Sequence, residues 1–362
     1  MEDLVTPARL KSYAGRRVLV TGDTGFIGSW LTLWLAELGA NVHGLALPPL
    51  KENVLFPTLV AAGLVRHTDC DVRDAEAVHK AFAEAQPEIV FHLAAQSLVR
   101  RSYDEPQLTF ATNLLGSVNI LEAVRKCESV RSLVYITSDK CYLNKEWPWG
   151  YRENDELGGR DPYSASKACA ELAIRAYDDS FFMRRAQLGA ASTRAGNVIG
   201  GGDRNKDRIM VDTITALEGG KPIVLRNPQA TRPWQHVLDP VCGYLKLGLA
   251  LLAEPRRFAG AWNFGPDERA IRTVDDLAHR AAEFWGGGEI IHMAAADAPH
   301  ESTLLHLSSA KANRLLRWQA QWDFDRAVAE TVAWYRAVHD GVAPLAISRR
   351  QISNYISEIA AA

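Results

Sequence analysis

Ser138-Asp139-Lys140, followed by Tyr163-x-x-x-Lys167, gathers a hydroxyl, a carboxylate, two amines and a phenol in one short region of the chain. The run Tyr135-Ile136-Thr137 before it is β-branched and aromatic and reads as a buried strand ending there. Asp161-Pro162 predicts a helix start, with the proline in the first turn, where a missing N–H costs nothing. Tyr163 and Lys167 then stand four apart on one helical face, so the ammonium can lie beside the phenol ring. A phenol ionises near pH 10. Making it a base near neutrality takes roughly 4 kcal/mol, and a neighbouring cation supplies an effect of that sign. YxxxK alone is common on helix surfaces, so its weight comes from what surrounds it.

Arg17-Val18-Leu19-Val20 is a short apolar strand, Thr21-Gly22-Asp23-Thr24-Gly25-Phe26-Ile27-Gly28 follows at once, and Ser29–Leu35 continues with helical periodicity. Strand, glycine turn and helix are the context a dinucleotide fingerprint needs, here spaced GxxGxxG. Gly22 permits the tight turn, Gly25 lets the backbone approach a pyrophosphate, and Gly28 lets the helix pack against the strand. Thr24, Phe26 and Ile27 complete the loop, and the phosphates would sit on the helix N-terminus.

The elements that must carry these groups alternate strand and helix. Asn41–Leu45, Leu64–His67, Glu88–Leu93, Ser132–Thr137 and Gln187–Ser192 read as strands; Leu108–Lys126 and Tyr163–Phe182 read as long helices. This predicts an α/β fold: a doubly wound, parallel Rossmann sheet with ligands at the carboxyl ends of its strands. After Arg194 the chain turns glycine-rich and its later helices are broken by prolines. That change predicts a smaller, interleaved C-terminal α/β substrate domain, with 1–195 plus 234–258 binding the dinucleotide and 196–233 plus 259–362 binding the substrate. The chain has 362 residues, 47% hydrophobic and 23% charged, with a net charge of −2, which gives no support for nucleic-acid binding. No stretch resembles a membrane span or a signal peptide. Five scattered cysteines without a CxxC pair read as reduced thiols in a cytoplasm and argue against a metal site. His92 reads as a satisfied core histidine, and Trp30 and Trp34 as one packed helix face.

The glycine loop, His92-Leu93-Ala94-Ala95, Tyr163-x-x-x-Lys167 and Arg194-Ala195-Gly196-Asn197-Val198 resemble the extended short-chain dehydrogenase/reductase superfamily of nucleotide-sugar enzymes. Within it, TSDKCYLNKEWPWGYREND (137–155), DPYSASKACAEL (161–172), RAGNVIGGGD (194–203) and RNPQATRPWQHVLDP (226–240) resemble the CDP-glucose 4,6-dehydratases. The resemblance spans nearly the whole chain. It implies an internal redox cycle on a nucleotide-sugar, with a CDP-hexose favoured. NAD accepts hydride from carbon 4 of the sugar while Tyr163 removes the hydroxyl proton. The ketone acidifies the carbon-5 hydrogen, water leaves from carbon 6, and hydride returns to carbon 6. Ser138 would bond the reacting oxygen, Asp139, protonated, would be the acid that helps hydroxide leave, and Lys167 would also hold the nicotinamide ribose. Lys140 stands where a glutamate is usual in the wider dehydratases. As the carbon-5 base a lysine must shed its charge, at roughly 4 to 5 kcal/mol unless burial helps; kept charged, it would stabilise the enolate.

The resemblance also places Asp71 and Val72 at the adenine and Leu93, Ala94 and Ala95 along the cofactor. It places Arg232 on the diphosphate, where a guanidinium fork suits phosphate. Ser97, Asn197, Arg208 and His300 would line the substrate. The expected second-strand end, Leu45-Ala46-Leu47-Pro48-Pro49, carries neither the acid that binds ribose hydroxyls nor a base for a 2′-phosphate, so NAD rests on the resemblance. Ile27 replaces a usual lysine and Arg204 a usual tryptophan, and the segment after His300 matches only in part. The family's setting implies deoxysugar biosynthesis, lipopolysaccharide O-antigen included, and a homodimer or higher oligomer through the two long helices. An epimerase or reductase on the same scaffold would need Tyr163 and Lys167 but no elimination pair; a dinucleotide sensor would need neither.

Overall fold

The computed structural model describes residues 7–293 and 304–361. Its strands, in chain order, are β1 (Arg17–Thr21), β2 (Asn41–Ala46), β3 (Arg66–Asp69), β4 (Ile89–His92), β5 (Ser132–Ile136), β6 (Gly189–Arg194), β7 (Val198–Ile199), β8 (Ile223–Leu225), β9 (Thr231–Pro233), β10 (Gln235–His236), β11 (Gly260–Asn263), β12 (Ile271–Thr273) and β13 (Ile290–His292). Seven form one parallel sheet in the order β11-β6-β5-β4-β1-β2-β3, and the others make three two-stranded pairs. The order reverses at β1/β4, the crevice where doubly wound sheets bind ligands.

Alternation along each strand builds two cores. Val18, Val20, Ile89, Phe91, Val134 and Ile136 face one side, under the helices Phe26–Glu37, Leu238–Ala253 and Phe324–His339. Leu19, Val90, Leu133 and Tyr135 face the other, under Ala75–Ala85, Gly116–Lys126 and Pro162–Ser180. Trp30 and Trp34 are fully buried, as expected, and the Trp30 indole donates to the Gly201 carbonyl at 2.8 Å. β11 joins the main sheet although it lies past residue 258. A four-residue strand beginning Gly-Ala carries little periodic signal, so its pairing with β6 was not legible in the sequence. The expected helix over 108–126 is one rod from Pro106 to Lys126, interrupted by a π turn at Ala111–Leu115. Among the described residues no helix is long and apolar enough to cross a membrane.

Candidate active site

β5 ends at Ile136 and Thr137 hands the chain to a short 3₁₀ turn, Asp139–Cys141, capped by Ser138, whose hydroxyl accepts from the Lys140 N–H. Ser138 Oγ donates to Asp139 Oδ1 at 3.0 Å, and Lys140 Nζ donates to the same oxygen at 3.3 Å. The Asp139 side chain is buried, its Oδ2 has no partner, and Lys140 is one-third exposed (33%). A hydroxyl and an ammonium therefore converge on one carboxylate oxygen and leave the other available.

The facing helix, Pro162–Ser180, starts as expected: Asp161 caps it by accepting from the Ser164 N–H at 2.9 Å, with Pro162 in the first turn. Tyr163 and Lys167 are both buried. The expected lowering of the phenol does not appear. Burial pushes Tyr163 up to about 12, the Asp139 and Asp161 carboxylates add to the rise, and Ser138 and Arg208 only partly oppose it. Desolvation penalises a phenolate wherever no strong cation touches it, and Lys167, itself pulled down to about 8 by burial, is not the dominant neighbour.

Around this pair the structure brings several expected residues together. Arg208 donates to Asp203 Oδ2 at 2.6 Å and reaches Ser97 Oγ at 3.4 Å, and its charge is felt at Tyr163. Asn197, just beyond β6, takes a left-handed backbone (φ 52°), and its side-chain Nδ2 is buried without a partner. Arg232 lies half-buried on β9, opposite Arg272 of β12. His300 lies outside the described residues. Arg204 forms a two-point ion pair with Glu218 at 2.7 and 2.8 Å.

The nucleotide end rests on the glycine turn. Gly22 has φ 74°, and a Cβ there would come within 2.7 Å of the Ala94 nitrogen; at Gly28 it would reach 2.0 Å from the Gly22 carbonyl oxygen. At Gly25 a Cβ would crowd the same carbonyl, at 3.2 Å, and meet nothing else within 4 Å. The helix Phe26–Glu37 has no side-chain cap and no acidic residue in its first turn, which leaves the amides of Phe26, Ile27 and Gly28 for an anion. Thr24 Oγ1 donates to the Leu47 carbonyl at 3.0 Å, and Leu93 and Ala94 donate to Thr21. Asp71 is engaged by Arg73, and Val72 packs against Gly116. Asp23 is buried against Gly44 of β2 and bonded to His67 at 2.7 Å. The Lys167 ammonium makes no hydrogen bond among the described residues. A bare helix end, a glycine turn too tight for side chains and a buried lysine with no hydrogen bond together fit NAD.

His92 is satisfied by Thr21 Oγ1 at 2.7 Å and Ser117 Oγ at 3.2 Å, and burial pulls it down to about 3. Two residues went unassigned in the sequence. Asn113, in the π turn, exchanges bonds of 2.8 and 2.9 Å with the Gln96 backbone and donates to Ser166 at 2.9 Å, tying the loop after β4 to the Tyr163 helix. Glu171 pairs with Arg194 and accepts from Thr137, just ahead of the Asp139–Cys141 turn. Its spacing of four from Lys167 was the available signal.

A dinucleotide-binding sheet with a Tyr-Lys helix and a Ser-Asp-Lys turn over one crevice defines an NAD-dependent enzyme acting on a sugar nucleotide. The chain belongs to the NAD dependent epimerase/dehydratase family, whose model matches residues 18–258. It is 44% identical over 349 residues to the CDP-glucose 4,6-dehydratase of Salmonella typhimurium, covering 95% of this chain and 97% of that protein. It is 26% identical to dTDP-glucose 4,6-dehydratase 1 of Escherichia coli, covering 88% and 92%. Among solved structures, UDP-glucose 4-epimerase from Thermus thermophilus in complex with NAD superposes with a TM-score of 0.74 at 28% identity, covering 88% of this chain and 99% of that one. A dTDP-glucose 4,6-dehydratase from Streptomyces venezuelae shares the fold, with a TM-score of 0.76 at 24% identity and coverage of 91% and 99%. The cofactor is NAD.

Proposed function

We propose that this chain is a nucleotide-sugar 4,6-dehydratase that converts CDP-D-glucose to CDP-4-keto-6-deoxy-D-glucose. The observation that carries this reading is the Asp139–Lys140 pair, 3.3 Å apart and beside Tyr163, because an epimerase or reductase has no use for an elimination pair. When bound, NAD supplies an acceptor and donor of hydride. Tyr163 takes the carbon-4 hydroxyl proton, and Ser138 holds the same oxygen. For elimination the pair must be neutral, with an amine on Lys140 and the proton on Asp139. Lys140 then takes the carbon-5 proton while Asp139 gives its own to the departing carbon-6 hydroxyl. Elimination leaves an ammonium and a carboxylate, and one proton moving across the 3.3 Å contact resets them; the proton that Tyr163 took from the hydroxyl is the one carbon 5 would regain as carbon 6 is reduced, which returns Tyr163 to its starting state. The neutral pair and the ion pair are thus two states of one shared proton, which unites the base and the charged stabiliser expected for Lys140.

Gly22, Gly25 and the open amides of Phe26, Ile27 and Gly28 would cradle the pyrophosphate, with Lys167 on the nicotinamide ribose. Asn197, Arg208 and Arg232 would hold the nucleotide diphosphate, and Ser97 the sugar. In this reading 1–195 plus 234–258 binds NAD and the remainder binds the nucleotide-sugar, in a cytoplasmic enzyme of deoxysugar biosynthesis. A homodimer through Gly116–Lys126 and Pro162–Ser180 would cover the exposed Leu172 on the second of them and Leu115 just ahead of the first. The test incubates purified protein with CDP-, dTDP-, GDP- and UDP-glucose and follows the alkaline absorbance of a 4-keto-6-deoxy sugar. Absorbance with CDP-glucose is expected; an epimerised hexose in its place would overturn the proposal.

A further inference from the structure

The catalytic turn is bracketed by one buried ion pair. Thr137 immediately precedes Ser138, and Tyr142 immediately follows Cys141. Thr137 Oγ1 donates to Glu171 Oε1 at 2.5 Å, while the Tyr142 hydroxyl accepts from Arg194 Nη1 at 2.6 Å and donates to Asn263. Arg194 grips Glu171 at two points, Nε to Oε1 at 3.0 Å and Nη2 to Oε2 at 2.8 Å, and Ser192 donates to Oε2 at 2.7 Å. Both ions are 3% exposed. Glu171 lies two helical turns from Tyr163 and one from Lys167 on the same helix, and Arg194 ends β6.

Every lone pair of this carboxylate is matched by a donor, which is what a buried ion requires. Apolar side chains of similar volume would hold the same elements together at no greater cost, so packing alone does not account for the charge. We propose that Glu171 is a positioning residue for the dehydration: its carboxylate fixes the Ser138-Asp139-Lys140 turn against the helix bearing Tyr163 and Lys167, and supplies the negative charge facing Lys167 across one turn. This rests on the function proposed above and adds a residue to it. The titratable groups around Lys167 are Tyr163 and Glu171 on its own helix, Asp139, Lys140 and Cys141 on the 3₁₀ turn, His92 on β4 and Arg194 on β6. Burial pushes the Cys141 thiol well up and draws the His92 imidazole down, so both are uncharged near neutrality. Burial draws Lys167 down, and Cys141 and Glu171 oppose it; of these two, only Glu171 is a charge near neutral pH.

The experiment compares full-length wild type, Glu171→Gln, and the double variant Glu171→Gln with Arg194→Gln, which leaves no buried charge unpaired should the single variant fail to fold. Two readouts are taken across pH 6 to 10: NAD binding by quenching of protein fluorescence, and turnover of CDP-glucose. Lys167 holds the cofactor only while charged, so NAD binding in the wild type should weaken on the alkaline side. In both variants that limb should move to lower pH, and kcat should fall by about a hundredfold with KM little changed. Failure of wild type to turn over any nucleotide-sugar would refute the dehydratase reading, and the NAD-binding limb would still judge Glu171. An unmoved limb in the folded variants, or turnover equal to wild type, overturns the proposal.

Discussion

Gly196 is the position where one carbon atom tests the geometry. It follows Arg194-Ala195 at the end of β6, and the Ala195 carbonyl accepts from the Asp139 N–H at 3.2 Å. A Cβ at Gly196 would stand 1.9 Å from Asp139 Oδ2, 2.2 Å from its Cγ and 2.8 Å from Oδ1. Real Cβ contacts essentially never fall below 3.0 Å, so Gly196→Ala must displace the carboxylate by at least 3.0 − 1.9 = 1.1 Å. The Gly196 backbone is not left-handed, so alanine meets no conformational barrier of its own. Asp139 is 1% exposed and held by Ser138 and Lys140, and it cannot retreat without breaking one of those bonds. Overpacking of this kind costs about 1–3 kcal/mol, too little to unfold a chain of this size, while a 1 Å misplacement of a catalytic group costs about a hundredfold in rate. The variant should therefore melt a few degrees lower, bind NAD as before, and lose about a hundredfold in kcat on CDP-glucose with KM nearly unchanged. A folded, NAD-binding variant with kcat within about threefold of wild type would refute the argument that the placement of Asp139 limits the reaction.

Lys140→Met should leave the fold intact, since the side chain is one-third exposed, yet cut formation of the 4-keto-6-deoxy chromophore by about a hundredfold or more; unchanged turnover would remove Lys140 from the mechanism. Lys167 is pulled from 10.5 to about 8, so between those values the unfolded chain holds a proton that the folded protein does not, and stability of the NAD-free protein rises with pH across that window. Lys167→Met removes the penalty: at pH 7 the variant should be more stable to urea by about 3 kcal/mol, a gain that fades by pH 10.5 while NAD binding is lost; a gain that does not change with pH would contradict the burial argument. Tyr163, pushed up to about 12, should show no phenolate absorbance below pH 10 in the NAD-free protein, read as the difference between wild type and Tyr163→Phe. Adding NAD should bring that ionisation down, and a phenol already ionised at pH 8 without NAD would refute the argument that burial holds it neutral.

Much of this site could be read because its signals are local. Ser138, Asp139, Tyr163 and Lys167 sit at element ends that hydrophobic patterning and helix capping locate within a few residues, and Gly22, Gly25 and Gly28 carry their geometry in their own spacing. Six of the seven strands of the main sheet, β1 to β6, follow from the pattern, although β3 and β6 begin two residues later than it suggests, because Leu64 and Val65, and likewise Leu188, carry apolar character beyond the ladder hydrogen bonds. The π turn at Ala111–Leu115 left no mark because it is imposed by tertiary contacts, with Asn113 bonded to Gln96 and Ser166. Arg208 meeting Ser97 across 111 positions, and Glu171 meeting Arg194, are juxtapositions made by strand order, which no window along the chain contains.

Tyr163 shows why composition and spacing can place a group without fixing its chemistry. The i to i+4 relation to Lys167 is real, but both side chains are buried together, and burial acts on each in the direction that opposes its charge: the phenol up, the ammonium down. A pair so desolvated favours Tyr–OH with a readily lost lysine proton, not phenolate with ammonium. Positive charge must therefore reach the phenol from elsewhere. Arg208 supplies part of it from the substrate side and is already counted in the value near 12. The remainder would have to come with a ligand, and a cationic nicotinamide in the place proposed for it beside Lys167 would supply that charge. Activation of Tyr163 would then be coupled to cofactor occupancy, with the phenol protonated in the protein without NAD.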